Sequence, residues 1–196
     1  MESVPRETVV RYWLDRELRK REDDPDVARL DTDAAVDALL REKPGVADVV
    51  WDRDDPDWYR LSIPRERFQR LRLVGGPPRL LWRALSPDGT VMGAAERVAG
   101  EPAADLGRET GVDVETILGY RDALAAGEQL DPLVVATRQG CAPWHVADGN
   151  HRAVALGVRL VETGEYDPQP AYLAVAPNPV LRPALERLCG LFRRLR

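Results

Sequence analysis

The stretch that most constrains this chain is Trp144-His-Val-Ala-Asp-Gly-Asn-His-Arg-Ala-Val-Ala-Leu156. An apolar run alternating into Asp148-Gly149-Asn150, then at once an Ala/Leu-rich run opening with His151-Arg152, predicts strand, tight turn and helix. That layout suits a phosphate site. Gly149 lets backbone approach a ligand closely, and the first helical turn offers N–H groups at the positive end of the helix dipole. Arg152 adds a planar fork that matches phosphate oxygens, and His151 a group that titrates near neutrality. On spacing alone the alternative stays open that this is an ordinary connector followed by a solvated helix start.

A chain of 196 residues has room for one good-sized domain or one with a smaller companion. With 31% charged and 44% hydrophobic residues, its composition is that of a folded globular protein rather than a disordered one. No apolar run reaches the roughly 18 residues of a membrane span, and the first residues are too charged for a signal peptide. A cytoplasmic location without a membrane partner is expected. The two cysteines, Cys141 and Cys189, lack zinc spacing and are too few for a disulfide framework, so both are expected as reduced thiols. A net charge of -5 repels nucleic acid on average, although a local basic patch can still bind it.

In the N-terminal third, helices are predicted over 5–20 and 32–42, separated by the acidic run Glu22 to Asp26 around Pro25. Val46 to Trp51 and Trp58 to Ile63 read as a hairpin, and Pro64 opens a helix over Arg65 to Leu73. Arg79 to Leu85 and Thr90 to Met92 read as strands around the Ser86-Pro87-Asp88-Gly89 turn, Ala94 to Val98 as a short helix, and 100–110 as a connection. The second half is more regular: a helix over 114–126, a strand over 133–136, the strand-turn-helix above, and a strand over 171–175. Leu181, Leu185, Leu188, Phe192 and Leu195 then recur at helical spacing. Strands and helices mixed in this way predict an α+β (mixed α/β) fold. The expected division is an accessory α+β region over 1–99, a core over 100–179 and an amphipathic helix over 180–196.

Ile117 to Val175 resembles the core of the ParB/sulfiredoxin superfamily. The likeness is carried by Tyr-x-x-Ala-Leu-x-x-Gly at Tyr120 to Gly127, Leu-Asp-Pro-Leu-Val-Val at Leu130 to Val135, Asp-Gly-Asn-His-Arg-Ala at Asp148 to Ala153, and Pro-x-Tyr-Leu-Ala-Val at Pro170 to Val175. About a third of the chain is covered. Sulfiredoxins place their catalytic cysteine where this chain has Asn150, which argues against sulfinic acid reduction. ParB partition proteins carry a Gly-Glu-Arg-Arg turn, bind CTP and continue into DNA-binding and dimerisation regions. The closest pattern is the Asp-Gly-His-x-Arg-like turn of the free-serine kinases.

The resemblance implies a nucleotide-binding protein, and above all a Mg²⁺-dependent phosphotransferase using ATP or ADP on a small hydroxyl-bearing metabolite. The alternatives are a ParB-like DNA-binding protein or nuclease, and a non-catalytic nucleotide sensor, with CTP possible. Phosphoryl transfer demands positioning and charge neutralisation more than covalent help. Arg152 is expected to clamp phosphate and the N–H groups around Gly149, Asn150 and His151 to cradle it, with His151 also a proton donor. Asp148 either binds Mg²⁺ or holds the turn. Glu115 is the first candidate for the base, with Glu109 and Asp113 as alternatives. His145 faces core or cleft, which periodicity does not decide.

Overall fold

The computed structural model describes residues 1–19, 27–46, 56–75, 79, 81–140 and 143–178. These form an α+β fold with eight α-helices and a five-stranded mixed sheet. The helices are α1 (Arg6–Arg19), α2 (Thr32–Glu42), α3 (Arg65–Phe68), α4 (Trp82–Leu85), α5 (Val91–Gly100), α6 (Ala103–Thr110), α7 (Val114–Ala125) and α8 (Asn150–Thr163). The strands β1 (Glu2–Ser3), β2 (Asp57–Ile63), β3 (Leu133–Arg138), β4 (His145–Asp148) and β5 (Gln169–Ala176) lie in the order β1-β2-β5-β3-β4. No helix among the described residues is long and apolar enough to cross a membrane.

The chain divides into two compact units. One takes Met1, 60–135 and 143–173, and the other takes 2–59, 136–142 and 174–196. In the second unit α1 packs on α2, as their apolar spacing predicts. Val9, Val10, Trp13 and Leu14 of α1 are buried, as are Ala35, Val36 and Leu39 of α2. Asp31 starts α2 by accepting from the Ala34 N–H at 2.8 Å, a side-chain cap that satisfies one orphan donor. Lys43, at its other end, reaches Glu17 at 3.3 Å and lies 5.6 Å from the Trp13 ring centre.

The first unit is built on α8, which packs against α5 on one side and α7 on another. Arg152 to Val158 are all buried, so this helix has apolar neighbours nearly all round its first half. Gly157 is what lets α5 come close: a Cβ there would lie 2.7 Å from the Cβ of Ala95. On the α7 side, Arg121 reaches across to Glu162 at 3.1 Å, and Arg159 donates to the Leu124 carbonyl at 3.2 Å.

Three local expectations are corrected in this unit. The helix expected over Arg65 to Leu73 ends at Phe68, because Leu71, Arg72 and Leu73 are drawn into extended pairing with distant residues. Arg72 bridges Thr90 antiparallel and His145 parallel. The strands expected over Arg79 to Leu85 and Thr90 to Met92 are instead α4 and the start of α5, whose Thr90 hydroxyl caps Gly93 N–H at 2.9 Å. The connection expected over 100–110 contains α6, which closes at Gly111 with φ +73. The expected first hairpin strand, the acidic run from Glu22, both cysteines and the C-terminal helix over 180–196 lie outside the described residues.

Candidate anion-binding site at the start of helix α8

β4 delivers the chain to Gly149, whose φ of +89 and ψ of 30 are left-handed backbone. Only glycine takes that conformation cheaply, and space also demands it. A Cβ at Gly149 would sit 2.7 Å from both Arg152 Nη2 and Leu133 Cδ2. Glycine brings no side-chain oxygen to cap α8. The positive end of a 14-residue helix is therefore presented directly behind the turn.

Behind the turn lies a buried lock. Arg152, 3% exposed, donates from Nη1 to the Asp131 and Pro132 carbonyls, both at 2.8 Å, and from Nη2 to Asp148 Oδ2 at 2.9 Å. Its guanidinium thus joins the entry to β3 to the end of β4, spending its fork on protein oxygens. Asp148 is itself 4% exposed. A carboxylate so buried and already paired does not fit the Mg²⁺ role, since Mg²⁺ keeps an octahedral shell of oxygens that is usually rich in water. Among the described residues no three His, Cys, Asp or Glu side chains converge on a common point.

The other two turn residues face a different way. Asn150 Oδ1 accepts from the Val74 N–H at 3.2 Å, tying the segment after Arg72 to the first turn of α8. The His151 ring stands edge-on to Trp82, with centroids 4.8 Å apart and an interplanar angle of 77°. Asp113 is close enough to feel His151. Its carboxyl lies below the usual range chiefly because the Thr116 hydroxyl and N–H donate to it, with His151 adding to the effect. Those bonds are 2.6 and 3.0 Å, so Asp113 is engaged as the cap of α7. Glu109 is likewise engaged, with Arg97. Glu115 is exposed on the first turn of α7, two residues beyond the Asp113 cap.

The sequence left His145 undecided and put Arg72 inside a helix, without linking either to the α8 turn. Arg72, expected inside a helix, instead pairs its backbone with His145 in an isolated parallel bridge, close enough for its charge to act on the His145 imidazole. His145 is exposed, so of the two directions periodicity left open it does not face the core. Its imidazole titrates below the usual histidine range, first through desolvation and then through the Arg72 charge, while a backbone hydrogen bond with Leu73 opposes both. The signal that could have found Arg72 was the basic run from Arg65 to Arg83, which periodicity misassigned to a helix.

Beside the lock lie two hollows of mixed lining. One, of about 460 Å³, is lined by Thr116, Gly119, Tyr120, Asp131 and Arg152 among others, and one of about 340 Å³ by Arg159, Tyr166 and Gln169 among others. They share Glu128, Gln129 and Leu130. Compared with known proteins, the chain matches no family model, no curated protein and no solved structure.

Proposed function

We propose that this protein binds the phosphates of a nucleotide at the start of α8 and transfers a phosphoryl group to a small hydroxyl-bearing metabolite. The observation that carries this reading is the backbone that leads to the turn opening α8: Arg72 bridges His145 on β4, and two residues later the Val74 N–H bonds Asn150 in the first turn, so a planar cation and a titratable donor stand on the segments that run to a helix N-terminus. The resemblance of Asp148 to Ala153 to the ParB/sulfiredoxin turn supports it independently. In this reading Arg152 and Asp148 hold the turn in shape, and Gly149, Asn150 and His151 meet the phosphates. Mg²⁺ would enter bound to the nucleotide phosphates.

The acceptor is proposed to sit in the hollow beside Thr116, Tyr120 and Arg152, whose hydroxyls and backbone carbonyls suit a polar molecule. Glu115 is proposed as the base that takes the acceptor's hydroxyl proton, since Glu109 and Asp113 are committed elsewhere. His151 is proposed to donate to a phosphate oxygen.

Thermal unfolding with ATP, ADP, CTP and GTP, each with and without Mg²⁺, tests the binding step. Saturation at about a hundred times Kd stabilises by roughly 2.7 kcal/mol, a shift of several degrees for a chain this size. The shift is expected to vanish in Arg72→Gln. No shift with any nucleotide would overturn the reading. Release of ADP or AMP in the presence of candidate hydroxy acids and alcohols, abolished in Glu115→Gln, tests the transfer step. Tight binding without turnover would point to a sensor.

A second reading has its own support. Between Pro64 and Arg83 the sequence holds six arginines and one acid, Glu66, a charge that suits a nucleic-acid backbone. Salt-dependent binding of DNA or RNA in the absence of any nucleotide effect would favour it.

A further inference from the structure

The hollow of about 340 Å³ has no part in the reading above. It lies within one unit, between the end of α7, the later turns of α8 and the loop into β5. Leu124, Leu130 and Leu156 supply its apolar part.

Its charged groups are mostly of one sign. Glu128, Glu165 and Asp167 line it together with one cation, Arg159. That cation is already spent, with Nη1 donating to the Leu124 carbonyl at 3.2 Å and Nη2 to Glu165 at 2.9 Å. The Tyr166 hydroxyl is likewise turned to the Ile63 carbonyl. Glu128 and Asp167, both exposed, enter no ion pair among the described residues. Because Leu124 and Gly127 also line the hollow, the negative pole of α7, a 12-residue helix, adds to the same potential.

Exposed acids are commonplace, and alone they say nothing of a ligand. The Gln169 amide does. Gln169 is 4% exposed, and its Nε2 donates to the carbonyls of Leu130 at 3.3 Å, Asp131 at 3.2 Å and Pro170 at 3.3 Å. Three carbonyls on one side fix which end of the amide is nitrogen. Its Oε1 is therefore turned away from them, and it accepts no hydrogen bond among the described residues. A buried amide oxygen without a donor is costly. This oxygen is not sealed in protein, and the open space that Gln169 lines is the hollow.

We propose that the hollow binds the ammonium group of a short alkyl chain, its N–H groups donating to Gln169 Oε1, its charge answered by Glu128 and Asp167, and its carbons lying along the three leucines. An ammonium is all donor and carries the sign that this lining favours. A carboxylate on the same ligand would meet like charge, which separates amines from amino acids. With two acids unanswered, a diamine is preferred to a monoamine. The site is distinct from the hollow proposed for the acceptor, although the two share the wall from Glu128 to Leu130. It does not depend on the nucleotide reading.

The test is calorimetry on the full chain at fixed ionic strength with putrescine, butylamine, γ-aminobutyrate and butanol. Nα-acetyl-lysine amide joins the panel to distinguish a free amine from a lysine side chain. Putrescine is expected to bind more tightly than butylamine, and butanol and γ-aminobutyrate at least about tenfold more weakly than butylamine. Gln169→Leu is expected to weaken putrescine about tenfold. Glu128→Gln and Asp167→Asn, at exposed positions, should each weaken it about two- to fivefold. Thermal unfolding verifies that Gln169→Leu is folded, and if it is not, the two exposed variants carry the test. Acetyl-lysine amide binding more tightly than either free amine keeps the site and assigns it to a lysine side chain. No binding of any amine at millimolar concentration overturns the inference. So does butanol binding as well as butylamine, or putrescine binding unchanged when Glu128→Gln and Asp167→Asn are combined.

Discussion

Arg152 and Asp148 form an ion pair at 2.9 Å across the Gly149 turn, with side chains only 4% and 6% exposed. Four residues apart in sequence, they belong to different elements, one ending β4 and the other in the first turn of α8. Because the same guanidinium also donates to two carbonyls ahead of β3, the pair sets where the helix begins relative to the sheet. The anion site inherits its geometry from this lock.

Truncating one partner leaves the other charge buried and unanswered. Arg152→Ala is therefore expected to destabilise the fold by about 3–5 kcal/mol. Replacing both with apolar residues of similar volume should cost distinctly less than the two single changes summed. Urea unfolding of the two single variants and the double variant measures this, and additive losses would show that the pair is not a unit.

Gly149→Ala places a methyl group against Arg152 and Leu133 and forces a left-handed backbone on a residue that resists it. A loss of about 2 kcal/mol or more is expected. The same variant should lose nucleotide-induced stabilisation even at temperatures where it is folded. Gly100→Ala, where a Cβ would meet nothing within 4 Å and which lines neither hollow, is the matched control.

His145 titrates below its ordinary range, through desolvation first and the Arg72 charge second. A depressed folded value means that the unfolded chain binds the proton more readily. The stability this contributes is complete above about pH 6.5, the unfolded value, and is lost as pH falls toward the folded value. Proton NMR of the imidazole should show an upward shift in Arg72→Gln, and another on adding phosphate to the unaltered protein. No movement in either case would separate His145 from the proposed site.

The Tyr166 hydroxyl donates to the Ile63 carbonyl at 2.8 Å, and its ring packs 4.8 Å from Phe68. Burial pushes its phenol up to about 12. Here the sign is opposite: the stability is complete below the unfolded value of about 10 and is lost as pH rises through about 12. Absorbance at alkaline pH should show one tyrosine titrating late. Tyr166→Phe should remove that late transition and cost about 1 kcal/mol.

The sequence by itself determined the elements whose signals are local. Helices α1, α2 and α7, strands β2, β3 and β5, and the β4–Gly149–α8 unit all follow from apolar period, caps and one glycine, because those signals act between neighbours along the chain. Apart from the helix expected over Ala94 to Val98, which lies inside α5, the tertiary structure decided the described residues between Phe68 and Thr110. There, hydrogen bonds from Leu71, Arg72 and Leu73 to residues near Gly89 and Trp144 overrode a pattern that read as helix. It also decided which way the charges point. The turn named His151 and Arg152 as neighbours in sequence, but only packing turned Arg152 inward onto Asp148 and brought Arg72, more than seventy positions upstream, beside His145. Periodicity places a residue on a face. What that face meets depends on contacts between residues far apart in the chain, which no local pattern records.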